Sequence, residues 1–487
     1  QVGPSLFKEV RLLATSKAMI LLHLFFVLLM SRGQDPGVEQ TLMNEAYEQA
    51  GRGEYSTALP ALRRAMQVFP YKAKLATDYG AVLLTKSSKE EDYARGGQEA
   101  SVREACAAIH LGELLGDARA QAFGPKCLRS ISEPNETSWK FLQKRVQAAR
   151  DVHQSGVQSV IELCSPDSSQ SGQGVVLPIA NDLDGGLLME TLVKAYTSMV
   201  VCGVVAFNGT VFESDFVGML AQEQEQVLND YLTQREAGEI AEAKSGKESK
   251  DKHTFARQRG KKRFEVKAPV APPFTDDRLV ANPLVLTIVR LLMGSGVEID
   301  TLSQVSALPG AENQNWHSDV MPLFFEPESS DQGHHPPAGL VMVVPLRNVT
   351  EEMGPTEFQT GSHRTQASTQ DSAMMMEQLL LPIVRPALVA GSVVLFDLRL
   401  KHRGTENRAE TIRPILYVSY VKEWFYDIRN FQATQSDAFD DMSLVRKKLL
   451  KRLDHNRYVE QLAEFAEGKK EEPPKQCAAF QVNNLRI

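Results

Sequence analysis

His317 and Asp319 stand two residues apart in Asn313-Gln-Asn-Trp-His-Ser-Asp319, and His402 follows an apolar run, Gly391-Ser-Val-Val-Leu-Phe-Asp-Leu-Arg-Leu, far downstream. Two apart on a strand, the first pair points to one face of a sheet. The apolar run reads as a buried strand. A chain that uses all three side chains together must bring two separate extended segments side by side. Two imidazoles and one carboxylate make a facial triad. It suits Fe(II), because it fills one side of an octahedron and leaves positions open. Arg413 comes eleven residues after His402, just before Ile415-Leu-Tyr-Val-Ser-Tyr-Val. If that segment is a strand, the guanidinium faces back into the same cavity and can hold a carboxylate in two-point fashion.

An H-x-D pair alone is common. The combination is specific, and it resembles the phytanoyl-CoA dioxygenase family of Fe(II)/2-oxoglutarate oxygenases. The matching pieces are Gln314-Asn-Trp-His-Ser-Asp, Pro337-Ala-Gly-Leu-Val-Met-Val-Val-Pro-Leu, Gly354-Pro-Thr-Glu-Phe-Gln-Thr-Gly-Ser-His-Arg, the Gly391 run through Gly404, and Thr411-Ile-Arg-Pro-Ile-Leu-Tyr-Val-Ser-Tyr. The likeness covers roughly residues 190–430. It implies a double-stranded β-helix (jelly roll), iron on His317, Asp319 and His402, and 2-oxoglutarate anchored by Arg413. It further implies consumption of O2 and release of succinate and CO2. Halogenases of the family lack the carboxylate ligand; with Asp319 present, the resemblance points to hydroxylation.

At 487 residues the chain is too long for one core, and two or three domains are expected. The net charge of −7 argues against a nucleic-acid surface over the whole molecule. Five cysteines are few and odd in number, which is no disulfide scaffold. Cys106 and Cys127 can pair in an oxidising compartment. Cys202, within Met199-Val-Val-Cys-Gly-Val-Val, reads as a buried small hydrophobe.

The expected organisation is α+β, with a helical, repeat-like domain ahead of the oxygenase jelly roll. Residues 1–33 hold a thirteen-residue apolar run, Ala18–Met30, after Lys8, Arg11 and Lys17. It reads as a secretory signal peptide or an uncleaved signal-anchor, with a plain buried helix as the bland alternative. Either of the first two predicts a secretory lumen or secreted address, with membrane attachment if the segment is uncleaved. Sequons at Asn135, Asn208 and Asn348 agree weakly. Residues 38–163 read as helices. Gly53, Tyr55, Ala58, Leu62, Ala65 and Pro70 stand at spacings that resemble a tetratricopeptide repeat, which would present a partner or simply brace the oxygenase. Residues 164–181 read as a linker, 182–435 as the oxygenase, and 436–487 as a charged helical tail with a disordered end.

Within the oxygenase half, Gly296–Gly310 reads as a strand entering the loop that carries Trp316 and His317, with Trp316 as core packing beside the metal. The basic stretch 244–263 reads as a solvated loop or, more sharply, as a lid over an anionic substrate. His334 and His335 read as exposed loop residues, and His363 as part of a structural turn. Leu444, Leu449, Leu450, Leu453, Val459 and Leu462 of the tail are placed to pack on the barrel or on a second subunit. Two functions remain on these grounds. One is an Fe(II)/2-oxoglutarate dioxygenase acting on a small-molecule or polypeptide substrate. The other is a non-catalytic binding scaffold with a retained oxygenase fold.

Overall fold

The computed structural model describes residues 36–89, 95–123, 127, 137–151, 157–165, 175–178, 189–237, 256–320, 336–364, 380–425, 439 and 442–454. The expected signal segment 1–33 lies outside them. So do His334, His335, most of the expected linker, and the tail beyond residue 454. Contact density divides the chain into two compact units, residues 1–123 with 443–445, and residues 124–442 with 446–487.

The first unit is helical: α1 Pro36–Gly51, α2 Tyr55–Val68, α3 Ala73–Lys89 and α4 Arg95–Leu114. Ala58, Ala61, Leu62, Ala65 and Met66 recur at the helical period and form the buried stripe of α2. Gly80 of α3 lies against α4, where a Cβ would stand 2.7 Å from Ile109 Cγ1, so only glycine lets the two helices approach this closely.

The second unit is α+β. Among the described residues, helices α5 (Thr137–Arg150), α6 (Val157–Cys164), α7 (Met189–Cys202), α8 (Ser214–Glu236) and α9 (Pro283–Met293) accompany eleven strands. In chain order these are β1 Val176–Pro178, β2 Val204–Asn208, β3 Ala256–Gly260, β4 Arg263–Lys267, β5 Val297–Ala307, β6 Gly339–Pro345, β7 Thr356–Gln359, β8 Ile383–Val384, β9 Val393–Asp397, β10 His402–Gly404 and β11 Arg413–Lys422. Eight form one sheet in the order β1-β2-β9-β6-β11-β5-β4-β3, and three form a second, β10-β7-β8. Apart from the parallel β1–β2 pair, the ladders are antiparallel. The two sheets meet face to face. Phe358 of β7 packs on Phe396 of β9 with ring centroids 5.2 Å apart, so the architecture is the double-stranded β-helix expected. The apolar run expected to be a strand before His402 is β9; it and β6 are buried end to end.

One expectation needs correcting. Cys202 is not a free buried thiol: it is disulfide-bonded to Cys164, which ties α6 to the end of α7. Cys106 and Cys127 are disulfide-bonded as well. Burial and apolar flanks make a cysteine look like a small hydrophobe in sequence, but only the fold shows which sulfur lies within reach. The described tail, including α10 (Leu444–Leu450), carries Arg452, which is fully buried against β5. Its Nε and Nη1 donate to Glu298 and Asp300 at 3.1 Å each, so this part of the tail packs on the barrel.

Candidate metal centre

His317 and Asp319 lie on the irregular loop that β5 enters. Pro309-Gly310 ends β5, and the chain then runs irregularly to residue 320. Side chains replace the missing ladder. Asn313 Oδ1 accepts from Glu406 N at 2.9 Å, and Gln314 Oε1 accepts from Gly404 N at 2.9 Å. His317 makes a single two-way bridge with His402: His317 N donates to His402 O at 3.1 Å, and His402 N to His317 O at 2.8 Å. Asp319 N donates to Leu398 O at 3.0 Å. This pinned loop does the work of a strand.

The ligand atoms of His317, Asp319 and His402 all lie within 4.8 Å of one another. His402 Nε2 is 3.7 Å from Asp319 Oδ1, and the two imidazole centroids are 4.5 Å apart. Each ring has its Nδ1 against a backbone carbonyl two residues earlier, His317 on Asn315 O at 2.8 Å and His402 on Leu400 O at 3.0 Å. With Nδ1–H donating there, both rings present Nε2, the arrangement a metal needs. His402 is buried against Phe396, whose ring centroid is 4.8 Å away. Burial holds its imidazole below the usual histidine range; Asp319 opposes that shift and His317 adds to it. The ring is therefore neutral and able to ligate at neutral pH.

The triad opens on a cleft of about 350 Å³ whose walls include Arg259, Glu265, Asp300, Ser303, Tyr417 and Ser419. Arg413 does enter a strand, and alternation puts it on the same face of β11 as Ile415 and Tyr417. It is 1 % exposed and lines a smaller cavity with Thr356, Phe358 and Ile415. Its Nη1 donates to Gly354 O, while Nε has no hydrogen-bond partner among the described residues. Gly354 holds φ +73°, and a Cβ there would collide with Glu406 O, so a glycine is required where this carbonyl meets Arg413. Burial, reinforced by Arg263, pulls the Arg413 guanidinium down to about 9, with Tyr417 acting in the other direction. It stays charged at neutral pH.

Arg263 is the residue the sequence reading passed over. It lay in the basic stretch expected to be a solvated loop or a lid. The described part, residues 256–263, is instead the β3–β4 hairpin and its turn. Arg263 is 1 % exposed, and its Nη2 donates to Glu312 O at 3.2 Å and Thr405 O at 2.7 Å. It thus ties the loop before His317 to the segment after His402. Its Nε and Nη1 have no hydrogen-bond partner among the described residues, and Nη1 lies 2.6 Å from where a Cβ on Gly404 would stand. The signal was present as Arg263-x-Glu265-x-Lys267, charge alternating at the strand period.

The remaining expected site residues fall elsewhere. His363 is buried, with Nε2 on Val200 O at 3.2 Å, a structural role. Trp316 is only partly buried and lies beneath Arg403, not in the core.

Residues 202–415 match the family model of phytanoyl-CoA dioxygenase (PhyH). Among solved structures, the chain is similar to the non-heme alpha ketoglutarate dependent epimerase SnoN from nogalamycin biosynthesis, at 18 % identity and a TM-score of 0.35, covering 48 % of this chain and 81 % of that one. It is similar to EctD from S. alaskensis, solved with 2-oxoglutarate and 5-hydroxyectoine, at 22 % identity and a TM-score of 0.34, covering 50 % and 78 %. It is also similar to AviO1 from Streptomyces viridochromogenes Tue57, at 18 % identity and a TM-score of 0.33, covering 47 % and 93 %.

Proposed function

With residues 202–415 a phytanoyl-CoA dioxygenase (PhyH) domain, we propose that this chain is an Fe(II)/2-oxoglutarate-dependent dioxygenase that hydroxylates its substrate. The observation that carries the reading is the convergence of His317, Asp319 and His402 within 4.8 Å on an open cleft. The donor set suits Fe(II), and a triad leaves positions for co-substrate and O2. Bound there, the metal would supply the O2 chemistry that converts a substrate C–H to C–OH while 2-oxoglutarate becomes succinate and CO2. The protein's own part is to hold and orient. Arg413, buried with an unpaired Nε, suits the distal carboxylate of 2-oxoglutarate, and the unpaired Nε and Nη1 of Arg263 add positive charge beside it. Burial strengthens these contacts, because a desolvated guanidinium gains most from an anionic partner.

The cleft wall built by β3, β4 and β5 is polar. Glu265 accepts from Arg259 at 2.5 Å and Lys267 at 3.3 Å, with Asp300, Thr301 and Ser303 alongside. An alkyl chain laid there would desolvate these groups without compensating hydrogen bonds. This wall supports a substrate that brings hydrogen-bonding groups of its own, as a polar small molecule or a polypeptide does. The Cys164–Cys202 disulfide, with Cys106 and Cys127 also oxidised, supports an address in the secretory pathway.

The test is anaerobic titration of the purified protein with Fe(II) and then 2-oxoglutarate, followed by the visible metal-to-ligand charge-transfer band. A band that is lost in His317→Ala is the expected result. A folded protein that gives no band would overturn the enzyme reading in favour of a non-catalytic scaffold.

A further inference from the structure

His402 and His317 are held unequally. His402 is 5 % exposed, sits on Phe396, and has Phe358 behind it with centroids 6.2 Å apart. His317 belongs to an irregular loop, and its fixed points are the Asn315 carbonyl and the bridge to His402. Each histidine has a neighbour in sequence that points away from the metal side of this bridge, Trp316 before His317 and Arg403 after His402. The Arg403 guanidinium lies over the Trp316 ring at 4.8 Å. Arg403 is in turn held from below. It is the register partner of Glu357 across β10 and β7, and its Nε donates to Glu357 Oε2 at 2.5 Å. Glu357 is 1 % exposed and accepts a second guanidinium, Arg385, on its other oxygen.

We propose that the Trp316–Arg403–Glu357 stack is a positioning device that fixes the loop-borne ligand His317 onto the buried ligand His402, so that metal affinity depends on it although none of its members touches the metal. The proposal rests on the metal-site reading above. The physical case is that His317 has no strand ladder to set its orientation. A guanidinium locked by a buried carboxylate offers its face to the ring next door. That cation–π contact orders the loop at the one residue where a rotation would swing the ligand out. Glu357 keeps the guanidinium plane from turning, because two cations compete for one desolvated carboxylate and each fixes one oxygen.

The experiment measures the Fe(II) dissociation constant anaerobically, by competition with a chromophoric chelator, in wild type, Trp316→Leu, Trp316→Phe, Arg403→Met and the double variant Trp316→Leu/Arg403→Met. Far-UV circular dichroism and urea midpoints establish that each is folded. Both Trp316→Leu and Arg403→Met are expected to weaken Fe(II) by about tenfold, the size of effect that outer-sphere partners of metal ligands show. Trp316→Phe, which keeps a π face, is expected to stay within about threefold of wild type. The double variant is expected to lose no more than the worse single variant, because the two residues act through one contact. Folded single variants with wild-type Fe(II) affinity would overturn the proposal while leaving the metal site standing. A wild type that binds no Fe(II) would overturn both.

Discussion

Arg263 and Arg413 are register partners of the same residue, Ala307, from opposite sides of β5. Their side chains therefore rise from the same face of the sheet, one strand apart, and both are 1 % exposed. Burial lowers the affinity of both guanidinium groups for their protons, and Arg263 lowers that of Arg413 further, yet no carboxylate among the described residues pairs with either. Two desolvated cations with unpaired donors are tolerable in a folded protein when an anion completes them. This relationship is the structural reason for expecting a dicarboxylate next to the triad.

Arg413→Lys replaces the two-point fork with a point charge. The KM for 2-oxoglutarate is expected to rise by about tenfold or more, corresponding to the roughly 1.5–3 kcal/mol of a hydrogen bond to a charged group. Steady-state succinate formation against 2-oxoglutarate concentration checks this. An unchanged KM would remove Arg413 from the site.

Asp319→Ala takes away the single anionic ligand of the triad. Fe(II) affinity is expected to fall by more than tenfold, and substrate-dependent succinate production to cease. Equilibrium dialysis of Fe(II), with product detection by mass spectrometry, reads both. Hydroxylation at the wild-type rate would show that the carboxylate does not ligate.

Replacing the Cys164–Cys202 pair with alanines opens a loop spanning 38 residues. In the chain-entropy view, closure of such a loop contributes about 4 kcal/mol. The double variant is expected to show a lower urea midpoint, with a somewhat steeper slope per molar denaturant because the unfolded chain is no longer cross-linked. A midpoint equal to wild type would mean that the bridge constrains nothing the fold does not already hold.

His363 sets an acid limit on stability. Burial pushes its imidazole down to about 4, with Arg399 and Arg364 adding to the shift and Asp397 opposing it. In the unfolded chain the same ring titrates near about 6.5. Between these values the unfolded state holds a proton that the folded state refuses. The stability is therefore complete above about pH 6.5 and is lost as pH falls toward 4, by roughly 3 kcal/mol. Unfolding free energies of wild type and His363→Gln measured across this range should converge in acid, and parallel curves would contradict the assignment.

Much of this protein is local in origin. The β6 run is apolar throughout and the β9 run is apolar up to its last residue, Asp397, so both are buried strands wherever they end up. The α2 stripe repeats at the helical period and needs a partner face whatever that face is. His317, Asp319, His402 and Arg413 carry side chains whose chemistry is the same in any fold, and their order along the chain is legible.

What the residues could not say is which groups lie side by side once the strands are paired. Arg263 is one of several basic residues in its stretch. Only the β4–β5–β11 register sets it opposite Arg413. Cys202 looks like its apolar neighbours until α6 brings Cys164 beside it. The spacing of His317 and Asp319 suits one face of a strand, yet both lie on the loop that follows β5. Pro309-Gly310 ends β5 where the expected strand ends, and the side chains of Asn313 and Gln314 supply hydrogen bonds of the kind a ladder would have made. Local sequence determines periodicity and chemistry because both are carried within a few residues. Register, disulfide pairing and the meeting of charges are long-range properties, and they are settled only when burial of the shared apolar faces selects one alignment of the strands.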